Sequence, residues 1–259
     1  MFFVVGGKGL TGSAIIRLLK NEEIEYQIIQ RENKKDFFGK SCDVLIYANG
    51  NPLRYKANED PFFDFKASVE SVAEYIHNID CKLFVHISSI IVYDKINSKE
   101  TTKENITINV ERLDNYGYHK ILAENYVKKY SKNFLIFRLP GLVGKNLEKN
   151  PAYDYINKEK RVMISSESTL NFINTDKVAK SILKIIQLNI KNDIFNLASK
   201  NSIKIKDIEK VIGYNTKYTS DAEKSLQNYQ INIEKIQQYV EMTTSEEAIK
   251  EYFEQLEKN

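Results

Sequence analysis

Apolar residues follow two alternating rhythms through the first half of the chain. FFVV (2–5) is an unbroken apolar run of the kind a buried strand shows, and SAIIRLLKN (13–21) follows with Ile15, Ile16, Leu18 and Leu19 at helical spacing. YQIIQ (26–30) and DVLIYA (43–48) repeat the strand pattern. DPFFDFKASVESVAEYIHNI (60–79) opens on Asp–Pro, a helix start, and Phe65, Val69, Val72 and Ile76 mark one apolar face. KLFVHISS (82–89) predicts a strand, the region from Tyr116 to Tyr130 a helix, and NFLIFRLP (133–140) a further strand. Strands separated by helices imply right-handed βαβ crossovers and a parallel sheet, so the class is α/β.

Past Pro140 the rhythm loosens. FINTDKVAKSILKIIQL (172–188) reads as a helix capped at Thr175–Asp176, DIFNLAS (193–199) as a strand and IKIKDIEKVIG (203–213) as a helix ending at glycine. A last helix begins at Thr244, with Glu247 at capping-box spacing. The chain therefore divides near residue 140. Residues 1–140 form the larger part, on which 171–190 is expected to pack back, and 141–259 a smaller one.

Composition narrows the function classes. The 259 residues carry 38 basic and 35 acidic side chains, a balance of +3 too mild to predict nucleic-acid binding. No apolar run approaches the roughly 18 residues of a membrane span, and MFFVVGG lacks the basic flank and length of a signal peptide. Cys42 and Cys81 show neither a metal-ligand nor a disulfide pattern and suit a reducing cytoplasm.

Between the first strand and helix lies GGKGLTG (6–12), which holds four of the ten glycines: Gly6, Gly7, Gly9 and Gly12. Glycines let a backbone turn tightly and approach a pyrophosphate, which sits at the positive end of the helix beginning near Leu10 and Thr11. This points to a Rossmann-type, doubly wound sheet binding a dinucleotide. A tight βα turn without a ligand is the alternative, and a Walker-type loop is excluded because no Gly-Lys-Ser/Thr follows. At the end of the second strand stand Gln30 and Arg31, where a ribose-binding carboxylate often lies. Their identity leans toward the 2′-phosphate of NADP, with NAD possible through Glu32.

Tyr116 and Lys120 lie four residues apart. Sixteen tyrosines and 32 lysines would produce about two such pairs by chance, so the spacing alone carries nothing. Position gives it content: the pair follows KLFVHISS, whose serines end a buried strand at the carboxyl edge of the sheet. On a helix, i and i+4 share a face. An ammonium beside a phenol favours the phenolate, so Tyr116 could exchange a proton with an alkoxide while a serine hydroxyl holds the oxygen.

The ordered set GGKGLTG (6–12), DVLIYA (43–48), SSIIVY (88–93) and YGYHKILAE (116–124) resembles the extended short-chain dehydrogenase/reductase family, which includes nucleotide-sugar epimerases, dehydratases and reductases. Weaker echoes in RLPGLVG (138–144), FINTDKVA (172–179) and IFNLAS (194–199) extend the resemblance to about residue 200. It implies a catalytic trio of Ser89, Tyr116 and Lys120, with Lys120 also on the nicotinamide ribose and Ala48 beside the cofactor. It further implies a dinucleotide-binding domain over 1–140, a mainly substrate-binding portion over 141–259, a nucleotide-sugar substrate and pairing of two copies through the helix that carries YVKKY (126–130).

Departures refine the expectation. Ile90–Ile91 stands where the family's dehydratases carry Asp-Glu, and the decarboxylases' acidic residue and the fucose-synthase cysteine are also absent. What is left is the minimal hydride-transfer set, suited to keto-sugar reduction or to C4-epimerisation through a transient ketone. A non-catalytic NAD(P)-sensing regulator is the third reading. Gly141 and Leu170-Asn171-Phe172-Ile173 replace family substrate contacts, and Lys160 and Arg161 read as solvated charges, with contact to a diphosphate as the alternative. The short segment before DVLIYA predicts the loss of one strand. His77, His86 and His119 lack metal spacing, Asn49–Gly50–Asn51 either lines the pocket or only turns, and Phe62, Phe63 and Phe65 read as core.

Overall fold

Strands form where the chain runs apolar on both faces. The computed structural model describes residues 1–157 and 159–257. β1 (Phe2–Val5) passes through the glycine turn into α1 (Leu10–Asn21), followed by β2 (Tyr26–Ile29) and β3 (Ser41–Tyr47). Then come α2 (Arg54–Glu59), α3 (Pro61–Phe65), α4 (Ser71–Asn78), β4 (Asp80–Ser89), α5 (Asn115–Tyr130) and β5 (Phe134–Leu139). The later half adds β6 (Gly141–Val143), α6 (Pro151–Ile156), β7 (Thr169–Leu170), β8 (Phe172–Asn174) and α7 (Thr175–Gln187). It closes with β9 (Asp193–Asn196), β10 (Ile203–Lys204), α8 (Ile208–Ile212) and α9 (Ser245–Glu257).

The main sheet is parallel, in the order β2-β1-β3-β4-β5-β9. This is the Rossmann α/β arrangement, and the order reverses between β1 and β3, where a crevice opens at the strand ends. Only a 3₁₀ turn at Lys34–Phe37 lies between β2 and β3, so β2 is an edge strand, in agreement with the strand loss read from the sequence. Val4, Leu45, Val85, Ile136 and Phe137 are fully buried at the sheet centre. Cutting such a residue back to alanine, as in Phe137→Ala, costs about 3–5 kcal/mol.

Later segments return to the sheet. β9 pairs with β5, and α7 lies on α1, joined by Arg17–Asp176 at 2.6 Å. A second core gathers Val143, Tyr155, Phe172, Ile205, Ile249 and Tyr252 from the smaller portion. The capping box of α9 forms as read: Thr244 N donates to Glu247 and Glu247 N to Thr244 Oγ1. No helix among the described residues is long and apolar enough to cross a membrane.

Three local readings change. Residues 172–174 are strand β8, and the cap of α7 is Asn174, whose Oδ1 accepts from Asp176 N at 2.8 Å. The segment 203–213 is a short strand, a 3₁₀ turn and only five α-helical residues. The third change matters most. Asp60 and Pro61 open α3 as expected, but Lys66–Glu70 is a π-helical turn before α4. The wider turn rotates the helix face, so Asp64 is buried and Phe65 is exposed. Phe62 and Phe63 are exposed too, so the Phe62, Phe63, Phe65 cluster is surface rather than core.

Candidate functional site

At the end of β1, Gly6 adopts φ +77°, and a Cβ there would sit 2.8 Å from the Ala48 carbonyl oxygen. A Cβ on Gly12 would lie 2.2 Å from the Gly6 oxygen, so the first turn of α1 presses directly on the loop. Gly9 N donates to Gly6 O at 2.9 Å, and Gly7 backs onto Ile28 and Ile16. No side chain caps α1, so the N–H groups around Leu10, Thr11 and Gly12 keep the free donors and positive potential of a helix start.

A cleft of about 710 Å³ runs over the strand ends, lined among others by Gly6, Gln30, Arg31, Glu32, Asn49 and Gly50. Gln30 N donates to Asn33 Oδ1 at 2.7 Å, while the Gln30 amide nitrogen is buried without a partner. Lys34, on the same wall, is paired with Glu74 at 2.6 Å. A glycine turn, an unused amide donor and Arg31 thus stand along one cleft. Of the residues read from sequence, Gly6 and Arg31 line the cleft. Gly7 and Gly9 continue the turn after Gly6, Leu10, Thr11 and Gly12 open α1, and Ala48, just past β3, lies against Gly6.

Strand β4, which ends at Ser89, and helix α5, which carries Tyr116 and Lys120, come together at the carboxyl edge. Ser89 ends β4, and its Oγ accepts from Ile91 N at 3.2 Å. Asp114 caps α5 by accepting from Gly117 N at 2.9 Å, which sets Tyr116 in the first turn and Lys120 one turn later. A Cβ on Gly117 would come 2.5 Å from the Ile91 oxygen, so glycine alone lets the helix start press against the turn after Ser89. Lys120 is buried, with Nζ 5.4 Å from the Tyr116 ring centroid. A Cβ on Gly50 would lie 3.1 Å from that nitrogen, which brings the loop after β3 to the same point.

Below this group lies a buried polar network. Arg138 binds Glu124 through two hydrogen bonds, at 3.0 and 2.7 Å, and Ser88 Oγ donates to Glu124 at 2.6 Å. Arg138 also donates to Tyr93 OH at 2.8 Å, which donates to Asn196 at 2.8 Å. The second serine thus faces the edge, while the first ties the strand to α5.

The histidines take three different settings. His77 bonds Tyr126 on the surface at 2.7 Å, and His119 shares a 2.7 Å hydrogen bond with buried Asp64. His86 is 1% exposed beside the Tyr47 ring, with neither nitrogen bonded. Burial, aided by the Lys120 ammonium, pushes its pKa down to about 3, so it is a neutral imidazole. Cys42 and Cys81 are free neighbours in register on β3 and β4, and burial pushes them up to about 12 and about 11. No group of three or more potential metal ligands occurs among the described residues. Lys160 and Arg161 are exposed.

Beyond Ile91 a cavity of about 280 Å³ opens between the halves, lined by Arg54, Tyr93, Asp94, Arg112, Asp114 and Tyr229 among others. Sequence reasoning passed over Arg54, Asp64 and Tyr229. Only the Arg-x-Lys setting of Arg54, close behind Asn49–Gly50–Asn51, was there to be noticed.

Known proteins share this fold. Residues 2–198 match the NAD dependent epimerase/dehydratase family. No curated protein matches the chain. Among solved structures, UDP-glucuronic acid 4-epimerase from Bacillus cereus in complex with UDP-glucuronic acid and NAD superposes with a TM-score of 0.78 at 19% identity, over 98% of this chain and 99% of the other. A UDP-galactose 4-epimerase gives 0.78 at 18%, over 99% and 98%. RMD from Pseudomonas aeruginosa, complexed with NADPH, gives 0.79 at 13%, over 98% and 99%. At these identities the likeness speaks for the fold. The family match covers about three quarters of the sequence and includes every residue of the site described above except Tyr229. The chain belongs to the NAD dependent epimerase/dehydratase family.

Proposed function

We propose that the protein transfers hydride between NADP or NAD and a sugar carbon of a nucleotide-linked sugar, with keto-sugar reduction as the primary reaction. The observation that supports this reading is the close approach of the start of α5, with Lys120 Nζ 5.4 Å from the Tyr116 ring, to the turn after Ser89, where Ile90 and Ile91 stand rather than further acids or bases. Such a site can exchange one proton at an oxygen, and it lacks the extra group that eliminating water would need. The cofactor, held by the Gly6–Gly12 turn, Arg31 and Lys120, supplies the hydride. The Ser89 hydroxyl orients the sugar oxygen. Tyr116 donates its phenolic proton there, and Lys120 places positive charge beside the ring as that proton leaves.

C4-epimerisation with a retained cofactor is the second reading, supported by the likeness to UDP-sugar 4-epimerases. A reductase releases its cofactor each turnover, whereas an epimerase copurifies with it, so absorbance and mass of the purified chain separate the two. Tyr116→Phe should lower turnover by about 10²–10⁴-fold with cofactor affinity kept. Unchanged turnover would defeat the reading, and cofactor binding without any turnover would favour an NAD(P)-sensing regulator. Two copies are proposed to pair through α5, whose Tyr118 and Tyr130 are exposed, as are Phe62 and Phe65 of α3.

A further inference from the structure

Asp64 has no solvent exposure, and a carboxylate so placed persists only if its lone pairs are taken. Three elements take them. His119 of α5 reaches Oδ2 at 2.7 Å, while Asn51 Nδ2 and Ser68 Oγ donate to Oδ1 at 3.0 and 3.2 Å. The π-helical turn at Lys66–Glu70 is what rolls Asp64 inward, and Ser68 lies within it.

Asn51 is saturated in turn. Its amide nitrogen also donates to Leu53 O at 3.0 Å, and its oxygen accepts from Leu53 N at 2.9 Å. These bonds fix the loop after β3, where Gly50 at φ +139° lies against Lys120 Nζ. The path closes on itself: Lys120 to its neighbour His119, to Asp64, to Asn51, to its neighbour Gly50, and back to Lys120.

Resting on the dinucleotide reading of the cleft, we propose that Asn51, Asp64 and His119 form a positioning circuit that sets the 49–51 backbone and Lys120 against each other before cofactor binds. None of the three takes part in proton transfer. Their effect is preorganisation: a loop already held in its bound form loses less freedom when the ligand arrives.

His119 variants test this, because asparagine can place a donor where Nδ1 lies, glutamine places it one bond further out, and alanine has none. Dissociation constants for NADPH and NADH, thermal unfolding, and amide exchange over residues 49–53 would be measured on the full chain. His119→Ala and His119→Gln should weaken binding about tenfold and speed loop exchange, while His119→Asn stays within about threefold. Native affinity in all three variants would overturn the circuit. So would affinity that follows melting temperature rather than the position of the donor. If the native chain binds neither dinucleotide, the functional reading fails by itself. Loop exchange in the cofactor-free variants then still decides the circuit.

Discussion

Helix α5 covers two polar clusters that differ in one respect. Toward β5, Ser88, Glu124, Arg138, Tyr93 and Asn196 are all buried and all hydrogen-bonded. Toward β3, His86 is equally buried under the influence of Lys120, yet both its ring nitrogens are unpaired. A satisfied cluster of charges resists rearrangement and holds the strand end and helix together. An unsatisfied one lowers stability, and such groups persist near sites that meet ligands. The same helix thus carries scaffold on one side and readiness on the other.

Breaking the satisfied cluster should have the largest effect. Arg138→Met leaves Glu124 as a buried charge without its partner, so unfolding free energy should fall by about 3–5 kcal/mol in a denaturant titration. Arg138→Lys should rescue little, since one ammonium cannot reproduce the two parallel bonds to Glu124.

Gly117→Ala breaks the link between cluster and edge. The new methyl must displace the Ile91 carbonyl or the start of α5, at about 1–3 kcal/mol. Because Tyr116 moves with the helix start, turnover should drop by about 10²-fold while cofactor affinity changes little. An alanine variant with native turnover would show that the close approach does not place Tyr116.

How much of this was legible depended on range. The β1 to β5 strands, the glycine turn, the Asp60–Pro61 opening and the Tyr116–Lys120 helix were readable because local pattern and spacing encode them. The π-helical turn was not. Nothing in KASVE marks it, and just before it Asp64 rather than Phe65 is in the interior. Asp64 bonds a residue 55 positions away and Arg54 one 175 positions away, pairings that only the folded chain creates. Asn174 took the cap of α7 from Thr175–Asp176 because the sheet-like pair β6–β8 runs one residue further than the apolar pattern suggests.

The unsatisfied side predicts a pH dependence. His86 is depressed to about 3 in the fold from an ordinary value of 6.5, so the unfolded chain takes up the proton first. Stability is therefore complete above pH 6.5 and is lost as pH falls toward 3, by at most about 1.4 kcal/mol per pH unit. Between pH 6.5 and 5, above the carboxylate range, His86→Phe should flatten this slope while leaving or raising stability at pH 7. An unchanged slope would show that His86 does not carry this proton uptake.

The smallest effect belongs to a cluster of a third kind, satisfied but half exposed. Arg54 Nε donates to Asp114 Oδ2 at 2.5 Å and its Nη1 to Tyr229 OH at 3.3 Å, joining α2, the cap of α5 and the later half. Water screens this bridge, and Asp114 Oδ1 still accepts from Gly117 N without it. Arg54→Ala should therefore change stability by less than about 1 kcal/mol. The same guanidinium lines the 280 Å³ cavity beyond Ile91, where a diphosphate would gain from it. If a nucleotide-linked sugar lies there, KM should rise by less than about tenfold with kcat held, the signature of uniform binding lost. A fall in kcat at constant KM would instead place Arg54 with the scaffold of α5, and the contrast between bonded support and ligand-facing charge would no longer separate the two sides of the helix.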